Sequence, residues 1–434
     1  MNVVFYTLGC KVNQYESHAI GETLEKYGHK VINDTAAADV VVINSCTVTA
    51  ESDRKTRQAV RRFRKKLPNA VIILGGCMAQ AFPENAKALE EADIITGNTS
   101  PSQIPLMLEE FLKTGKRIIN IKPHEKSEKY NTPIISDFGE KTRAFMKIED
   151  GCDRYCTYCI IPKARGEIRS KALFEIEKEA ELLSKSGFCE IVLVGINLTS
   201  YGKDIGLNIC DAVDAAAKPE GIKRIRLGSL EPDHITDETL IRLKNQKKFC
   251  HQFHLALQSG SDATLKRMNR HYDTAFYEEL VNRIRENFEN PSITTDIMVG
   301  FAGESETEFE ESVNFLKRIG FARSHVFAYS KRQGTIAAAL KNQVEPCEKT
   351  KRAAIMSEAA KRSEAEFLKN QIGRNETVLF ETFKCGIAEG YTENYTRVKV
   401  KTDKNLSGQI LSTKITDSFQ DYCVGEIIKA ESYN

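Results

Sequence analysis

Apolar positions in the first hundred residues fall into short runs separated by amphipathic stretches. β-Branched and apolar runs occupy Val3–Leu8, Val40–Ile43 and Val71–Leu74, and helical spacing marks Tyr15–Tyr27 and Ser52–Leu67. Short apolar strands with helices between them predict a parallel, doubly wound sheet. A helix over Pro105–Lys113 and a strand over Arg117–Ile121 follow, and Pro123–Lys141 mixes charge with Pro, Ser and Gly as a domain boundary does.

A second alternation begins at Arg143. Strand-like runs recur at Ala144–Ile148, Glu190–Val194, Arg224–Leu227, Gln252–Leu257, Thr294–Val299 and Ser324–Tyr329. Helical patterns fill the gaps, among them Glu175–Ser186, Asp237–Asn245, Phe276–Asn287 and Glu306–Ile319, the last opened by a Ser305/Glu308 capping box. Six strands each followed by a helix predict a partial (β/α)6 barrel with its active site at the carboxyl ends of the strands. A charged helix over Glu348–Gln371 leads into the strand-rich stretch Thr377–Ile428, with turns at Gly386, Gly390, Gly408 and Gly425. That stretch reads as a small all-β barrel of a kind that often binds single-stranded nucleic acid. The expected fold is therefore α/β in three units: a doubly wound domain over 1–122, a linker over 123–142, a partial barrel over 143–370 and a β module over 371–434.

The 434 residues carry a net charge of +2, so a nucleic-acid or membrane partner would have to be met by local patches. No stretch has the length and apolarity of a membrane span, and the opening MNVVFYTLGCKVNQ runs straight into a strand without the marks of a signal peptide. The expected compartment is the cytoplasm, which keeps thiols reduced and makes disulfides a poor account of twelve cysteines.

Cys189, Cys210, Cys250, Cys347, Cys385 and Cys423 are scattered singly and read as structural. The other six form two sets of three. Cys152, Cys156 and Cys159 lie within eight residues, just past the first barrel strand, with Tyr158 before the last. Three such thiolates can ligate three irons of a 4Fe–4S cluster and leave the fourth open, whereas a zinc site of two C-x-x-C units or added histidines is not spelled out nearby. Cys10, Cys46 and Cys77 each follow a separate strand of the first series. In a parallel sheet those carboxyl ends share one edge, where ligands bind, and Gly9, Gly75 and Gly76 would let backbone approach a bulky group. The alternative for this second set is three buried core cysteines.

The first set resembles that of the radical S-adenosylmethionine superfamily. The resemblance implies that the open iron chelates S-adenosylmethionine and that reduction releases a 5′-deoxyadenosyl radical. It places cofactor contacts at Tyr158, at the turn containing Asn197, at Ser229 and Glu231, and at Gln258, although a polar residue ending a strand also serves as a helix cap. Both sets together, with TLGCKVNQYES from Thr7 to Ser17, Lys147–Cys152, GINLTSYG from Gly195 to Gly202, Leu257–Gly260 and DIMVGFAGE from Asp296 to Glu304, make nearly the whole chain similar to the methylthiotransferases. The opening Leu8–Gln14 resembles the branch acting on threonylcarbamoyladenosine beside the tRNA anticodon; relatives acting on isopentenyladenosine or on a ribosomal protein tend to differ at Lys11 and Val12.

The resemblance implies a sulfur-handling N-terminal cluster, a TRAM-like RNA-gripping module and sulfur insertion at adenine carbon-2, with a second S-adenosylmethionine as methyl donor. It also implies a flavodoxin- or ferredoxin-type electron donor and a sulfur source. Asp296 is a candidate catalytic residue for substrate hydrogen bonding, or else a turn cap. Ala302, Ala328 and Gln333 stand where the family usually has Pro, which removes a φ restraint from the loops carrying Tyr329 and Arg332. A sister methylthiotransferase and a non-catalytic iron–sulfur RNA-binding protein remain the alternative functions.

Two basic surfaces are candidates for RNA. Arg54–Lys66 holds eight basic residues and no acid, which fits a solvated helix face equally well. Arg397, Lys399 and Lys401 alternate with Val398 and Val400, which predicts a basic stripe on one face of a strand, with Tyr391 and Tyr395 available for stacking on bases. The module as a whole, residues 372–434, is not basic: eight Lys and Arg stand against nine Asp and Glu.

Overall fold

A computed structural model of the chain describes residues 1–99, 101–136, 138–139 and 142–428. The first unit is a six-stranded, all-parallel sheet in the order Lys30–Val31, Asn2–Thr7, Val40–Ser45, Val71–Gly76, Ile94–Thr96, Ile118–Asn120. Its central strands are buried on both faces because helices cover each side, which is why they read as unbroken apolar runs. The strands at Lys30–Val31 and Ile94–Thr96 are too short to carry a pattern of their own and were not legible beforehand.

The second unit is the partial barrel. Arg143–Lys147, Glu190–Val194 and Arg224–Leu227 pair in parallel, and so do Ser229–Leu230, Gln252–Leu255, Ser292–Val299 and Arg323–Ala328. The third expected strand, Arg224–Leu227, forms at those bounds, and past Gly228 a further short strand, Ser229–Leu230, pairs with the next neighbour instead. Helices pack on the outside against Ile191, Leu193, Phe253, Leu255, Ile293 and Ile297. The Ser305/Glu308 capping box forms with both hydrogen bonds. The helix Pro346–Lys369 runs along the last barrel strand and delivers the chain to a closed five-stranded barrel of Asn375–Lys384, Ile387–Thr392, Arg397–Lys401, Cys423–Ile427 and Ile410–Ser418.

The stretch expected as a polar linker is largely packed. Ile135 and Phe138 are buried in the same core as Tyr15, Met146 and Phe188. Tyr130 donates to the carbonyl of Lys147 (2.6 Å), and Tyr15 donates to that of Pro133 (3.0 Å). Two apolar residues inside a polar stretch have no periodicity, so only tertiary packing reveals them. Asp137, Glu140 and Lys141 of that stretch lie outside the described residues, as does Lys429 of the β module.

A buried ionic network joins the first two units. Arg165, fully buried, donates to Glu16 (2.9 Å), Asn13 (3.0 Å) and Asp150 (3.3 Å). Lys147 donates to Glu16 (2.7 Å), Asp150 (2.6 Å) and Thr132 (3.1 Å). Burial alone would raise the carboxyl pKa of Glu16, but Arg165 and Lys147 outweigh it and hold the group below its ordinary value. A second tie is Arg332, which donates to Thr47 (2.7 Å) and Asp53 (2.5 Å) in the first unit.

Arg165→Met should cost about 3 kcal/mol in chemical denaturation at neutral pH, because it leaves buried Glu16 to Lys147 alone, with Asp150 keeping Lys147 and Arg169. The folded pKa of Glu16 lies below its unfolded value, so its contribution is complete above roughly pH 4 and is lost as pH falls through the folded value. The gap between wild type and variant should therefore shrink as the pH is lowered below about 4.

Candidate active site

The loop bearing Cys152, Cys156 and Cys159 lies at the carboxyl end of the first barrel strand and is pinned on several sides. The Cys152 amide donates to the carbonyl of Gly166 (3.1 Å), the Cys159 amide to that of Cys156 (2.9 Å), and Thr157 to the carbonyls of Met268 (3.0 Å) and Arg267 (2.9 Å). Arg270 donates to the Cys156 Sγ (3.3 Å), to Glu231 (2.5 Å) and to the carbonyl of Ala256 (3.0 Å). The three sulfurs act on one another electrostatically, and burial pushes Cys159 up to about 12 and Cys152 higher still. Buried thiolates need positive charge, and Arg270 supplies one side of it. A cationic iron–sulfur cluster fits the other, with a donor already aimed at one ligand sulfur.

The second set converges as the sheet topology requires. Cys10, Cys46 and Cys77 follow three adjacent strands at one edge and act on one another electrostatically. Gly9, at φ +108°, is so close to Cys46 that a Cβ would meet its Sγ at 3.1 Å and its Cβ at 2.8 Å. Gly76, at φ +91°, would place a Cβ 2.5 Å from the carbonyl of Ser45. Gly75 has ordinary strand geometry instead. Burial pushes Cys77 up to about 12 against the opposing pull of Arg165, whose Nε donates to its Sγ at 3.3 Å. Asn98 donates to the same sulfur at 3.7 Å. These donors likewise suit a ligand thiolate. Ile160, next to Cys159, packs with Cys77, so the two sets adjoin. Among the described residues no three His, Cys, Asp or Glu side chains close on one point as a single ion demands; a cluster spreads its ligands more widely.

The remaining candidates occupy the same end of the barrel. Tyr158 packs edge-on against Phe301, with ring centroids 6.2 Å apart. Asn197 is held by its amide to Glu149 (2.8 Å) and by its side chain to Ser200 (2.8 Å) and Asp153 (3.3 Å). Glu149 also accepts from the Ile196 amide (2.8 Å); burial raises its carboxyl to about 8, and its other oxygen has no partner. Ser229 is exposed beside Glu231, which is engaged by Arg270. Gln258 lies three residues past the strand Gln252–Leu255, at φ +68°, its amide donating to the Asp296 carbonyl (2.9 Å).

Asp296 is joined by two residues not anticipated, His254 (3.4 Å) and His325, its register partner on the next strand. Burial raises its pKa, but the hydrogen bond and charge of His254 and the charge of His325 win and hold it below its ordinary value. The signal available was parity: Phe253, Leu255 and Leu257 face outward, which puts His254 on the inner face. Arg165 and Arg270 had no sequence signal, because each acts through a partner more than forty positions away, while Arg332, named from the resemblance, reaches its partner Asp53 in the first unit. The loops that lack the family's prolines are nevertheless fixed: Tyr329 packs on Phe301 (5.2 Å) and Arg332 is buried.

The basic surfaces differ from expectation. Val398 and Val400 are buried as alternation requires, but Arg397 pairs with Glu389 (2.8 Å) and Asp421 (2.9 Å), and Lys399 lies over the Tyr422 ring (3.9 Å). Only Lys401 of that stripe is open, at the strand's end. Tyr391 and Tyr395 stack on each other (4.6 Å) and are capped by Arg143 and Arg226 of the partial barrel, so these half-buried rings form a seam between units and are not free for bases. In the Arg54–Lys66 helix, Arg54, Arg61 and Arg64 pair with Glu51, Glu91 and Asp93, while Lys55, Lys65 and Lys66 remain exposed.

A partial barrel with a three-cysteine loop at its carboxyl mouth defines a radical S-adenosylmethionine enzyme. Residues 146–316 match the Radical SAM superfamily, and residues 2–97 match the Uncharacterized protein family UPF0004. The threonylcarbamoyladenosine tRNA methylthiotransferase MtaB of Bacillus subtilis is 36% identical, over 98% of this chain and 96% of its own. That of Aquifex aeolicus is 38% identical over 92% and 96%. The tRNA-2-methylthio-N(6)-dimethylallyladenosine synthase of Natranaerobius thermophilus is 34% identical over 98% and 97%. The chain belongs to the radical S-adenosylmethionine methylthiotransferase family, whose cofactors are 4Fe–4S clusters and S-adenosylmethionine. The fold is shared with the radical S-adenosylmethionine methyltransferase TsrM of Kitasatospora setae, at TM-score 0.58 and 12% identity, over 78% of this chain and 77% of that one.

A Cβ at Gly195 would lie 2.6 Å from the Glu149 Oε2 that orients the 195–197 turn. Gly195→Ala should weaken S-adenosylmethionine binding by about tenfold, a cost of 1.4 kcal/mol, in equilibrium titration of the reconstituted protein. Unchanged affinity would remove that turn from the cofactor site.

Proposed function

We propose that this chain converts threonylcarbamoyladenosine at tRNA position 37 into its 2-methylthio derivative. The observation that carries the reading is the meeting of two separate three-thiol sets, one from each unit, in a chain that aligns end to end with threonylcarbamoyladenosine tRNA methylthiotransferases. Cys152, Cys156 and Cys159 would hold one 4Fe–4S cluster, and Cys10, Cys46 and Cys77 the other. When bound, these clusters and S-adenosylmethionine supply a carbon-centred radical and a site for sulfur, chemistry needed because adenine carbon-2 carries no acidic proton.

The chain's own residues bind and orient. Arg270 holds Glu231 against the Cys156 loop, Glu149 holds the turn of Asn197, and Tyr158 with Phe301 and Tyr329 makes an apolar wall that excludes water. Asp296, kept ionised by two histidines, is the candidate acceptor for a hydrogen bond from the base. The proposed setting is the cytoplasm, with a flavodoxin- or ferredoxin-type electron donor, a separate sulfur source and the anticodon stem–loop as substrate; among the described residues no helix is long and apolar enough to cross a membrane. Lys401 and the exposed lysines of the Arg54–Lys66 helix are the remaining candidates for phosphate contact, with Arg397 and Lys399 available only if their acidic partners are exchanged.

Nucleoside mass spectrometry of tRNA from cells with and without the gene should show loss of the 2-methylthio-threonylcarbamoyl nucleoside alone; loss of the dimethylallyl counterpart would transfer the reading to the sister activity. Anaerobic reconstitution should give about eight irons per chain. Cys77→Ala should retain S-adenosylmethionine cleavage yet form no methylthio product. Sustained product from a folded variant with an intact second cluster would remove the sulfur role from the N-terminal set.

A further inference from the structure

Lys11 directly follows Cys10, and its side chain is solvent-accessible at the start of the helix Lys11–Lys26. That helix packs into the inner side of the partial barrel: its Val12 joins Val192 and Val194, and Lys11 Nζ lies 5.8 Å from the Phe145 ring centroid. Burial, with the repulsion of Arg143 and Arg226 from barrel strands, holds the Lys11 ammonium below its ordinary pKa, while Tyr395 of the C-terminal module and Glu190 of a barrel strand pull the other way. Lys11 also acts on His325, which flanks Asp296. Lys11 therefore lies on the inner side of the barrel, within electrostatic reach of the strand pair that carries His325 and the candidate substrate-binding carboxylate Asp296.

Apart from Asp296, which has His254 and His325 beside it, the acids on this side of the barrel are engaged by arginines. Glu190 is shared by Arg226 (3.0 Å), Arg224 (3.7 Å) and Arg143 (3.8 Å), Glu381 pairs with Arg143 (2.5 Å), and Glu393 lies 3.9 Å from Arg224. Among the described residues no ion pair forms on Lys11. An accessible cation next to a candidate cluster ligand, whose neighbouring glutamates are taken by arginines, is matched to an anionic ligand.

The two kinds of relative differ in that charge. A threonylcarbamoyl group ends in a free carboxylate, whereas a dimethylallyl group is an apolar hydrocarbon. We propose that Lys11 is a specificity-determining residue that pairs with the threonyl carboxylate of the modified adenosine and so holds its base beside Cys10 and Asp296. This rests on the substrate reading above. A hydrogen-bonded ion pair in a partly desolvated recess favours the acid over a neutral isostere of the same shape by about tenfold or more.

The test measures binding, by fluorescence anisotropy, of anticodon stem–loop RNAs to the anaerobically reconstituted protein. The stem–loops carry threonylcarbamoyladenosine or its neutral methyl ester. Wild type should prefer the acid by about tenfold, Lys11→Gln should lose that preference while binding the ester as wild type does, and Lys11→Arg should keep it. An unchanged preference in Lys11→Gln would overturn the proposal. So would equal weakening toward both RNAs, which would assign Lys11 to a backbone phosphate, and so would a wild type that binds acid and ester alike. Methylthio product from the acid stem–loop in the wild-type assay shows that the substrate reading survives any of these outcomes; product from a dimethylallyladenosine stem–loop alone would sink that reading itself.

Discussion

The structure depends on one buried cation. Arg165 arises a few residues after the last cysteine of the barrel loop, yet its guanidinium is spent on the first unit, on Asn13, Glu16 and the sulfur of Cys77, as well as on Asp150 beside its own loop. Taking such a charge out of water is affordable only with carboxylates fixed around it, and Lys147 completes the balance. The result is a buried junction between the units that carry the two thiol sets, with Ile160, next to Cys159, packed in one cluster with Cys77. The proposed division of labour between the two sets would require their spacing to be held constant.

The same logic explains the polar interior of the partial barrel. A closed barrel fills its centre with apolar side chains, but here the inner faces present Glu190, Arg226, His254, Asp296 and His325. The gap is sealed from outside the barrel. The helix Lys11–Lys26 enters from the first unit, and the stacked Tyr391 and Tyr395 are clamped by Arg143 and Arg226 from the third. A charged lumen covered on two sides suits a nucleotide whose base must be held away from bulk water.

The C-terminal barrel consequently has a different bearing on RNA than its strand pattern suggested. Its aromatic pair and the best-placed arginine of its basic stripe are engaged within the molecule. Alternation correctly placed Val398 and Val400 inside and Arg397, Lys399 and Lys401 outside, but which outward cations meet acids depends on Glu389, across the preceding hairpin strand, and on Asp421, brought alongside by the pairing of a non-consecutive strand.

The chain's order of elements was written locally. Apolar runs, helical spacing and a capping box are short-range patterns, so the parallel sheet, the six barrel strands and the terminal β barrel were legible with boundaries a few residues off. The grouping of six cysteines into two sets was readable as well, the first from spacing and the second because parallel strands must end on one edge, and their role as cluster ligands is the proposal made above. What the sequence could not determine were relations between residues far apart in it: Arg165 with Cys77, Arg270 with Cys156, Arg332 with Asp53, His254 with Asp296, and the packing of Ile135 and Phe138 within a seemingly polar stretch. A buried charge is stable only beside its counter-charge, and which counter-charge that is depends on how the units dock. Sequence by itself determined the elements and the chemistry they carry; tertiary structure alone decided which charges neutralise one another and which, like that of Lys11, stay available.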